Sequence, residues 1–262
     1  MSKILHVVVR GEGPDLVFVH GWAMHGGIWP EQLLLELEKN FRLHIVDLPG
    51  HGHSAALSEV FSLATVSAEL HDYASAHLQA SAIWLGWSLG GMLVSNMAVL
   101  YPQQVAKLVI VSSSLCFCKT DGWPDAMDAK VLALFAEQLG KDYRSTLSRF
   151  LALQFKGDSH AREGLRCLRD HLFARSEPDS ESLSAGLKIL QDEDLRWQVV
   201  KIEQPVYLIG GENDSLTPVA ALQNIAAQFA RVELSIIKGA GHAPFISHQQ
   251  IFQQQLMTFL YA

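Results

Sequence analysis

The sequence predicts an α/β fold: a mostly parallel sheet flanked by helices, with a helical segment inserted between two late strands. Three observations carry that reading. Short continuous apolar runs alternate with helical patterns through residues 1–114. The alternation stops over 115–198, which read as helices without a convincing strand. It resumes over 199–262.

The elements follow in order. Residues 1–11 read as a first strand, because their apolar stretch is too short for a signal peptide. Leu16-Val17-Phe18-Val19 is a continuous apolar run, as expected of a strand buried on both faces. Ile28–Lys39 reads as a helix, with Trp29, Leu33, Leu34 and Leu37 at helical spacing. Leu43–Val46 is the next strand, followed by the breaker-rich loop Asp47–Ser54. A helix over 63–78, a strand over 82–85, a helix over 89–100 and a strand over 107–111 complete the first half. In the insertion, 124–139, 142–155, 159–173 and 178–190 read as helices, with stops at Gly140 and Gly157 and a break at Glu177-Pro178. The last part reads as a strand over 205–210, a helix over 218–229, a strand over 232–237 and a helix over 249–260. This divides the chain into a core (1–114 and 199–262) and a helical cap (115–198).

Composition narrows the function. Of 262 residues, 49% are hydrophobic and 18% charged, which excludes a disordered chain. A net charge of −7 argues against general nucleic-acid binding. No apolar run reaches the 18 or so residues of a membrane span. Cys116, Cys118 and Cys167 make no obvious disulfide framework, so a reduced, cytoplasmic setting is expected. Monomer is the default expectation, since no feature signals an oligomer.

The chemistry centres on Gly86-Trp87-Ser88-Leu89-Gly90-Gly91, which joins an apolar strand to a helix. Small residues on both sides of a serine in a strand–turn–helix form a nucleophile elbow, the mark of an α/β-hydrolase. The glycines leave room where strand and helix cross. The helix N-terminus offers free N–H groups to a developing oxyanion. A serine before a helix is also a common N-cap, so the rest of the site must supply a base and an orienting acid.

In this fold the order along the chain is Ser, acid, His. The loop after strand 205–210 carries Glu212 and Asp214, and the loop after strand 232–237 carries His242. Asp214 is the expected acid, with Glu212 its nearest rival, although Asp214 could simply begin a helix. His242 is the expected base; His20, His51, His53 and His248 do not follow the last strand in the proper place. His51-x-His53 has no companion spacing for a metal, and no metal is expected. The oxyanion donors are the amide of Leu89, after the nucleophile, and the amide of Trp22, after strand 16–19. Trp22 could also be an ordinary packing tryptophan.

The insertion adds two features. Phe150, Leu151, Leu153 and Phe155 are candidates to line an apolar pocket over the elbow, or else pack the insertion against itself. From Arg144 to Arg175 seven basic residues (Arg144, Arg149, Lys156, Arg162, Arg166, Arg169 and Arg175) face three acidic ones (Asp158, Glu163 and Asp170). The difference is a local +4 in a chain of net −7. On a helix, Arg162, Arg166 and Arg169 fall within about 60° of arc. They form either a solvated face or a ridge that attracts an acidic partner or phosphate.

Five stretches are distinctive at a finer level: His20-Gly21-Trp22, Asp47-Leu48-Pro49-Gly50, Ile83–Gly91, Arg149-Phe150-Leu151-Ala152-Leu153-Gln154 and His242–His248. On these marks the chain resembles, over nearly its whole length, the pimeloyl-acyl-carrier-protein methyl ester carboxylesterases of bacterial biotin synthesis. The resemblance implies a triad of Ser88, Asp214 and His242, with Trp22 and Leu89 holding the carbonyl oxygen. Trp22, Ser88 and Leu89 would bind substrate together with Phe150, Leu151, Ala152, Leu153 and Gln154, the last five against the acyl chain. Arg149, Arg162, Arg166 and Arg169 would meet the acyl carrier protein bearing a methyl pimeloyl chain. Neither metal nor organic cofactor is implied. One position departs: a basic residue is expected about one turn before Arg149, where Ser145 stands beside Arg144. The rival expectations are a broad-specificity carboxylesterase, a C–C bond hydrolase of the same fold, and a non-catalytic ligand receptor. A dehalogenase is disfavoured, because its nucleophile would be aspartate.

Overall fold

The computed structural model describes residues 4–262. Seven strands form one sheet: β1 (His6–Arg10), β2 (Asp15–Val19), β3 (Arg42–Asp47), β4 (Ala82–Trp87), β5 (Val105–Val111), β6 (Val206–Gly211) and β7 (Val232–Ile237). Their spatial order is β1-β3-β2-β4-β5-β6-β7. Among the described residues only β1 runs antiparallel, against β3. Strands β2, β4 and β6 are buried along their whole length, whereas edge strand β1 exposes Val8 and Val9. The continuous apolar runs of β2 and β4 thus lie where both faces are covered.

The helices of the core are α1 (Glu31–Leu37), α2 (Leu63–His77), α3 (Leu89–Leu100), α8 (Val219–Ala226), the single turn α9 (Pro244–Ser247) and α10 (Gln249–Tyr261). Between β5 and β6, which are neighbours in the sheet, the chain makes α4 (Ala129–Leu139), α5 (Tyr143–Gln154), α6 (Ala161–Leu172) and α7 (Ser180–Asp192). Asp128, Asp142 and Asp179 each accept a backbone N–H at the start of α4, α5 and α7. That satisfies donors the first turn leaves free. Among the described residues no helix is long and apolar enough to cross a membrane.

Two helices start later than the sequence suggests. The helix expected at Ile28 begins at Glu31, because Pro30 forces Trp29 into an extended conformation (φ −71°, ψ 129°) and splits off a 3-10 turn at Gly26–Ile28. The helix expected at Pro124 begins at Ala129. Residues before it are held in a loop, where Met127 N–H donates to Phe117 O at 3.0 Å and the Trp123 indole to Cys116 O at 2.9 Å.

The two ends of the insertion are joined near their bases by Leu195 N–H on Leu115 O. Arg175, after α6, forks onto both oxygens of Asp47 at the end of β3, at 2.8 and 3.0 Å. Asp47 is buried and also accepts the amides of Gly26 and His53. Burial alone would raise its pKa; the two amides and the Arg175 guanidinium instead hold it below the ordinary value. His25 accepts Gly27 N–H on Nδ1 and so donates from Nε2 to His171 O, a second link from sheet to insertion.

Candidate active site

The carboxyl ends of β2, β4, β6 and β7 bring the expected residues to one edge of the sheet, where open α/β sheets place their ligands. Ser88 follows β4 directly and adopts φ 56°, ψ −119°, a strained conformation for a residue with a side chain. Two contacts hold it there: its N–H donates to Val111 O at 3.0 Å, and its carbonyl accepts from the Ser113 hydroxyl. A side chain at Gly86 would collide with the Gly90 carbonyl, and one at Gly90 with the carbonyls of Val19 and His20. The crossing of β4, α3 and β2 therefore requires glycine at both positions.

Asp214 and His242 are both buried, and His242 Nδ1 lies 2.8 Å from Asp214 Oδ2. The other oxygen, Oδ1, accepts the amides of Leu216 and Thr217 at 2.8 and 2.9 Å. Asp214 thus does begin a turn, and it orients a histidine as well. Glu212, the rival acid, is exposed and accepts from Gly239 N–H instead. His242 is held from three sides. Its carbonyl accepts from the Trp87 indole at 2.8 Å, its amide donates to Gln154 O at 2.8 Å, and the preceding amide of Gly241 donates to Asp158 Oδ2 at 2.7 Å. Its Nε2 is buried without a hydrogen-bond partner, so no bond joins it to Ser88 Oγ in this state.

The rival histidines are occupied elsewhere. His20 Nε2 accepts Leu48 N–H at 2.9 Å, so Nδ1 carries the proton and donates to Gly21 O at 2.8 Å. Burial, and next the nearby His51, push its pKa down to about 3, which keeps the ring neutral. His51 Nδ1 donates to Pro49 O. His53 packs edge-on against His6, and His248 lies against Ser159 and Ser247.

Gly21 abuts the elbow: a Cβ there would lie 3.2 Å from the Ser88 Cβ and 3.1 Å from the Trp87 ring. The Gly21 carbonyl and the Trp22 N–H belong to one trans peptide and point in opposite directions. With the carbonyl turned to His20, the Trp22 N–H is turned away from it. Among the described residues neither the Trp22 nor the Leu89 amide finds an acceptor. The Trp22 ring is buried, its Nε1 donates to Leu183 O at 2.8 Å, and its edge meets Phe150 at 4.9 Å between centroids. Trp22 is therefore a packing tryptophan too, and the element it packs against is the insertion.

Of the five residues expected against the acyl chain, Phe150, Leu151 and Gln154 are buried, Leu153 is half-buried and Ala152 is exposed. Gln154 Oε1 is buried and unpartnered. Arg162, Arg166 and Arg169 line one groove of about 440 Å³ with Glu163 and Leu165. Arg149, Arg162 and Arg166 are exposed and, among the described residues, form no ion pair. Arg169 touches Asp170 at 3.4 Å. Two of the seven basic residues leave the set, since Arg144 pairs with Glu177 and Arg175 turns inward to Asp47.

The comparisons with known proteins agree with this geometry. A family model described as alpha/beta hydrolase fold matches residues 14–249. The chain is 40% identical over 259 residues to a pimeloyl-acyl-carrier-protein methyl ester esterase of Vibrio vulnificus strain CMCP6, covering 99% of each chain. The chain belongs to this esterase family. A second relative of the same name, from Xanthomonas axonopodis pv. citri strain 306, is 41% identical over 256 residues, covering 98% of each chain. An esterase from Exiguobacterium antarcticum superposes with a TM-score of 0.89 at 23% identity, covering 98% of this chain and 96% of that one, which attests the fold.

Sequence reasoning missed several groups that hold this site in place: Asp158, the Trp87 indole, the Gln154 carbonyl and the His20 ring. Each acts through a partner distant in sequence (83, 155, 88 and 28 residues for Gly241, His242, His242 and Leu48). His20, Trp87 and Gln154 lie inside the motifs His20-Gly21-Trp22, Ile83–Gly91 and Arg149–Gln154, whereas Asp158 lies in none of them.

Proposed function

We infer that this chain hydrolyses the methyl ester of pimeloyl-acyl-carrier protein to the free carboxylate and methanol, a step of biotin synthesis. The observation that carries this is the alignment, over nearly the full length, with relatives named for that activity. The site supports the chemistry. A serine hydroxyl needs a base and an orienter to attack at neutral pH. Ser88 Oγ attacks the ester carbonyl while His242 Nε2 takes its proton, and Asp214 holds the ring by Nδ1. The unpartnered Nε2 is what such a base requires, and its contact with Ser88 closes when substrate fills the site. The free amides of Trp22 and Leu89 stabilise the oxyanion. Methanol leaves with the proton from His242, which then activates water to release the carboxylate.

The thioester at the far end of the same chain must be spared. Residues 115–198 act as the cap over the core of 1–114 and 199–262, and the acidic carrier docks outside on Arg149, Arg162, Arg166 and Arg169. Only the distal ester then reaches Ser88. Opposite fields across such an interface speed encounter and fix its register. The deciding experiment is methanol release from methyl pimeloyl-acyl carrier protein by the native chain and by Ser88→Ala. Turnover lost in the variant supports the reading. Cleavage of small aryl esters alone would make the chain a broad carboxylesterase, and no turnover on either would make it a receptor. The double reversal Arg162→Glu, Arg166→Glu should impair the carrier-linked substrate and leave a small ester untouched; equal losses on both would refute the docking face.

A further inference from the structure

Outside the Ser88 site, a second group of chemically capable side chains converges where the insertion meets the loop of His242. Asp158 ends the segment after α5, His160 precedes α6, and His248 precedes α10. One ligand atom from each lies within 4.8 Å of the other two. We propose that Asp158, His160 and His248 form a binding site for a borderline divalent cation of the Zn²⁺ class, which staples the insertion to the loop carrying His242.

Two imidazoles and a carboxylate are the donor set such ions take, with a water completing a tetrahedron. Bonds of about 2.0–2.2 Å would bring the three atoms to about 3.3 Å from one another. The required closure of roughly 1.5 Å is open to His160, whose ring is exposed and meets the His248 ring edge-on at 4.8 Å. His248 is already oriented for the task. Its Nδ1 lies 2.9 Å from the Ser247 hydroxyl, which can take the ring proton and leave the Nε2 lone pair facing the cluster. The Ser159 hydroxyl now sits between the rings, 3.1 Å from His248 Nε2 and 3.3 Å from His160 Nδ1. Ser159 is exposed, and its hydroxyl would turn to solvent as the ion takes both lone pairs.

Asp158 connects this cluster to the ester-cleaving site. Its oxygens accept the amides of His160 at 2.7 Å and Gly241 at 2.7 Å. Each carboxylate oxygen keeps a second lone pair, so a metal bond needs neither hydrogen bond broken. Ser159 N–H donates to Gly239 O across the same junction. An ion here would cross-link residues 158–160 with residues 239–248, the frame around His242.

Zinc titration of the native chain by calorimetry tests this, with His160→Ala and His248→Gln as variants. One Zn²⁺ per chain with saturable, micromolar binding is expected, weakened by about tenfold or more in each variant. Zinc should also raise the melting temperature of the native chain by several degrees, and a chelator should reverse it. His160→Ala removes an exposed side chain and keeps the fold, so it decides the question if His248→Gln misfolds. The absence of saturable binding, or binding unchanged by His160→Ala, would overturn the proposal.

Discussion

Gly186→Ala tests whether the insertion sets the geometry of the proposed oxyanion hole. Gly186 lies on α7 against the Trp22 ring: a Cβ there would sit 2.8 Å from Trp22 Cδ1 and 3.3 Å from Nε1. Carbon pairs relax to about 3.5–4.0 Å, so the ring must retreat by about 0.7 Å or more. It cannot swing freely, because Nε1 is tied to Leu183 O and its edge meets Phe150. The displacement passes to the backbone at Trp22 and Ala23, which is already strained at φ 62°. Overpacking of this kind costs about 1–3 kcal/mol of stability. Losing an oxyanion donor costs about 100- to 1,000-fold in kcat, and a misplacement near 1 Å about 100-fold. We expect kcat on a small aryl ester to fall by about 10- to 100-fold. Gly164→Ala is the control. Its Cβ collides with the Phe155 ring edge, on α6 and away from Trp22. It should lose comparable stability, read as a urea midpoint, and keep its kcat. Should Gly186→Ala lose stability yet keep kcat like Gly164→Ala, the link through Trp22 is refuted.

Three further expectations follow from the same contacts. Asp214→Asn preserves an acceptor for the Leu216 and Thr217 amides but turns an NH₂ toward His242 Nδ1, so kcat should fall by about 10⁴ with the fold intact; steady-state kinetics and a thermal melt check both halves. Arg175→Met leaves the Asp47 carboxylate buried without its fork, and unfolding free energy should drop by about 3 kcal/mol, measured by urea titration. Burial foremost holds His20 at about 3 and His25 at about 4, both below the unfolded value of about 6.5, so both stay neutral in the folded chain. Their contribution is complete above that unfolded value and is lost as the pH falls toward the folded values, at about 1.4 kcal/mol per pH unit each. Urea midpoints at successive pH values from neutrality down to acid should therefore fall steadily, and a flat profile would contradict the buried, accepting nitrogens of both rings.

The legible part of this protein is the part whose constraint is local. Gly86, Ser88 and Gly90 are readable because a strand, a turn and a helix must cross within a few residues, and nothing larger than glycine fits at 86 and 90. Asp214 and His242 are readable because each lies a few residues past the end of a strand, where chain order and topology agree. Direction along the chain's surface is not readable in the same way. Arg175 belongs to a basic run in sequence but turns inward to Asp47, because a buried carboxylate at the end of β3 needs it. Pro30 shows the opposite case, a local signal strong enough to override the helical spacing of the apolar residues around it.

What the sequence hides most completely is the insertion's share in the site. The sequence predicts a helical cap whose apolar residues line a pocket or pack the insertion against itself. The insertion also supplies the carbonyl that holds the His242 amide, the carboxylate that holds Gly241 and the carbonyl that holds the Trp22 indole. These bonds grip both ends of the proposed machinery, the base on one side and the oxyanion loop on the other, while the strained Ser88 is held by Val111 and Ser113 at and just past the end of β5. His242 is thus held by the insertion and also by the core, through Trp87 and Asp214, and its Nε2 is not bonded to Ser88 Oγ. Substrate that presses on the insertion can change the distance between nucleophile and base without moving the elbow. Substitutions in the insertion that displace the Gln154 carbonyl, the Asp158 carboxylate or the Leu183 carbonyl should then act on kcat as well as on KM, although none of these groups touches the scissile ester.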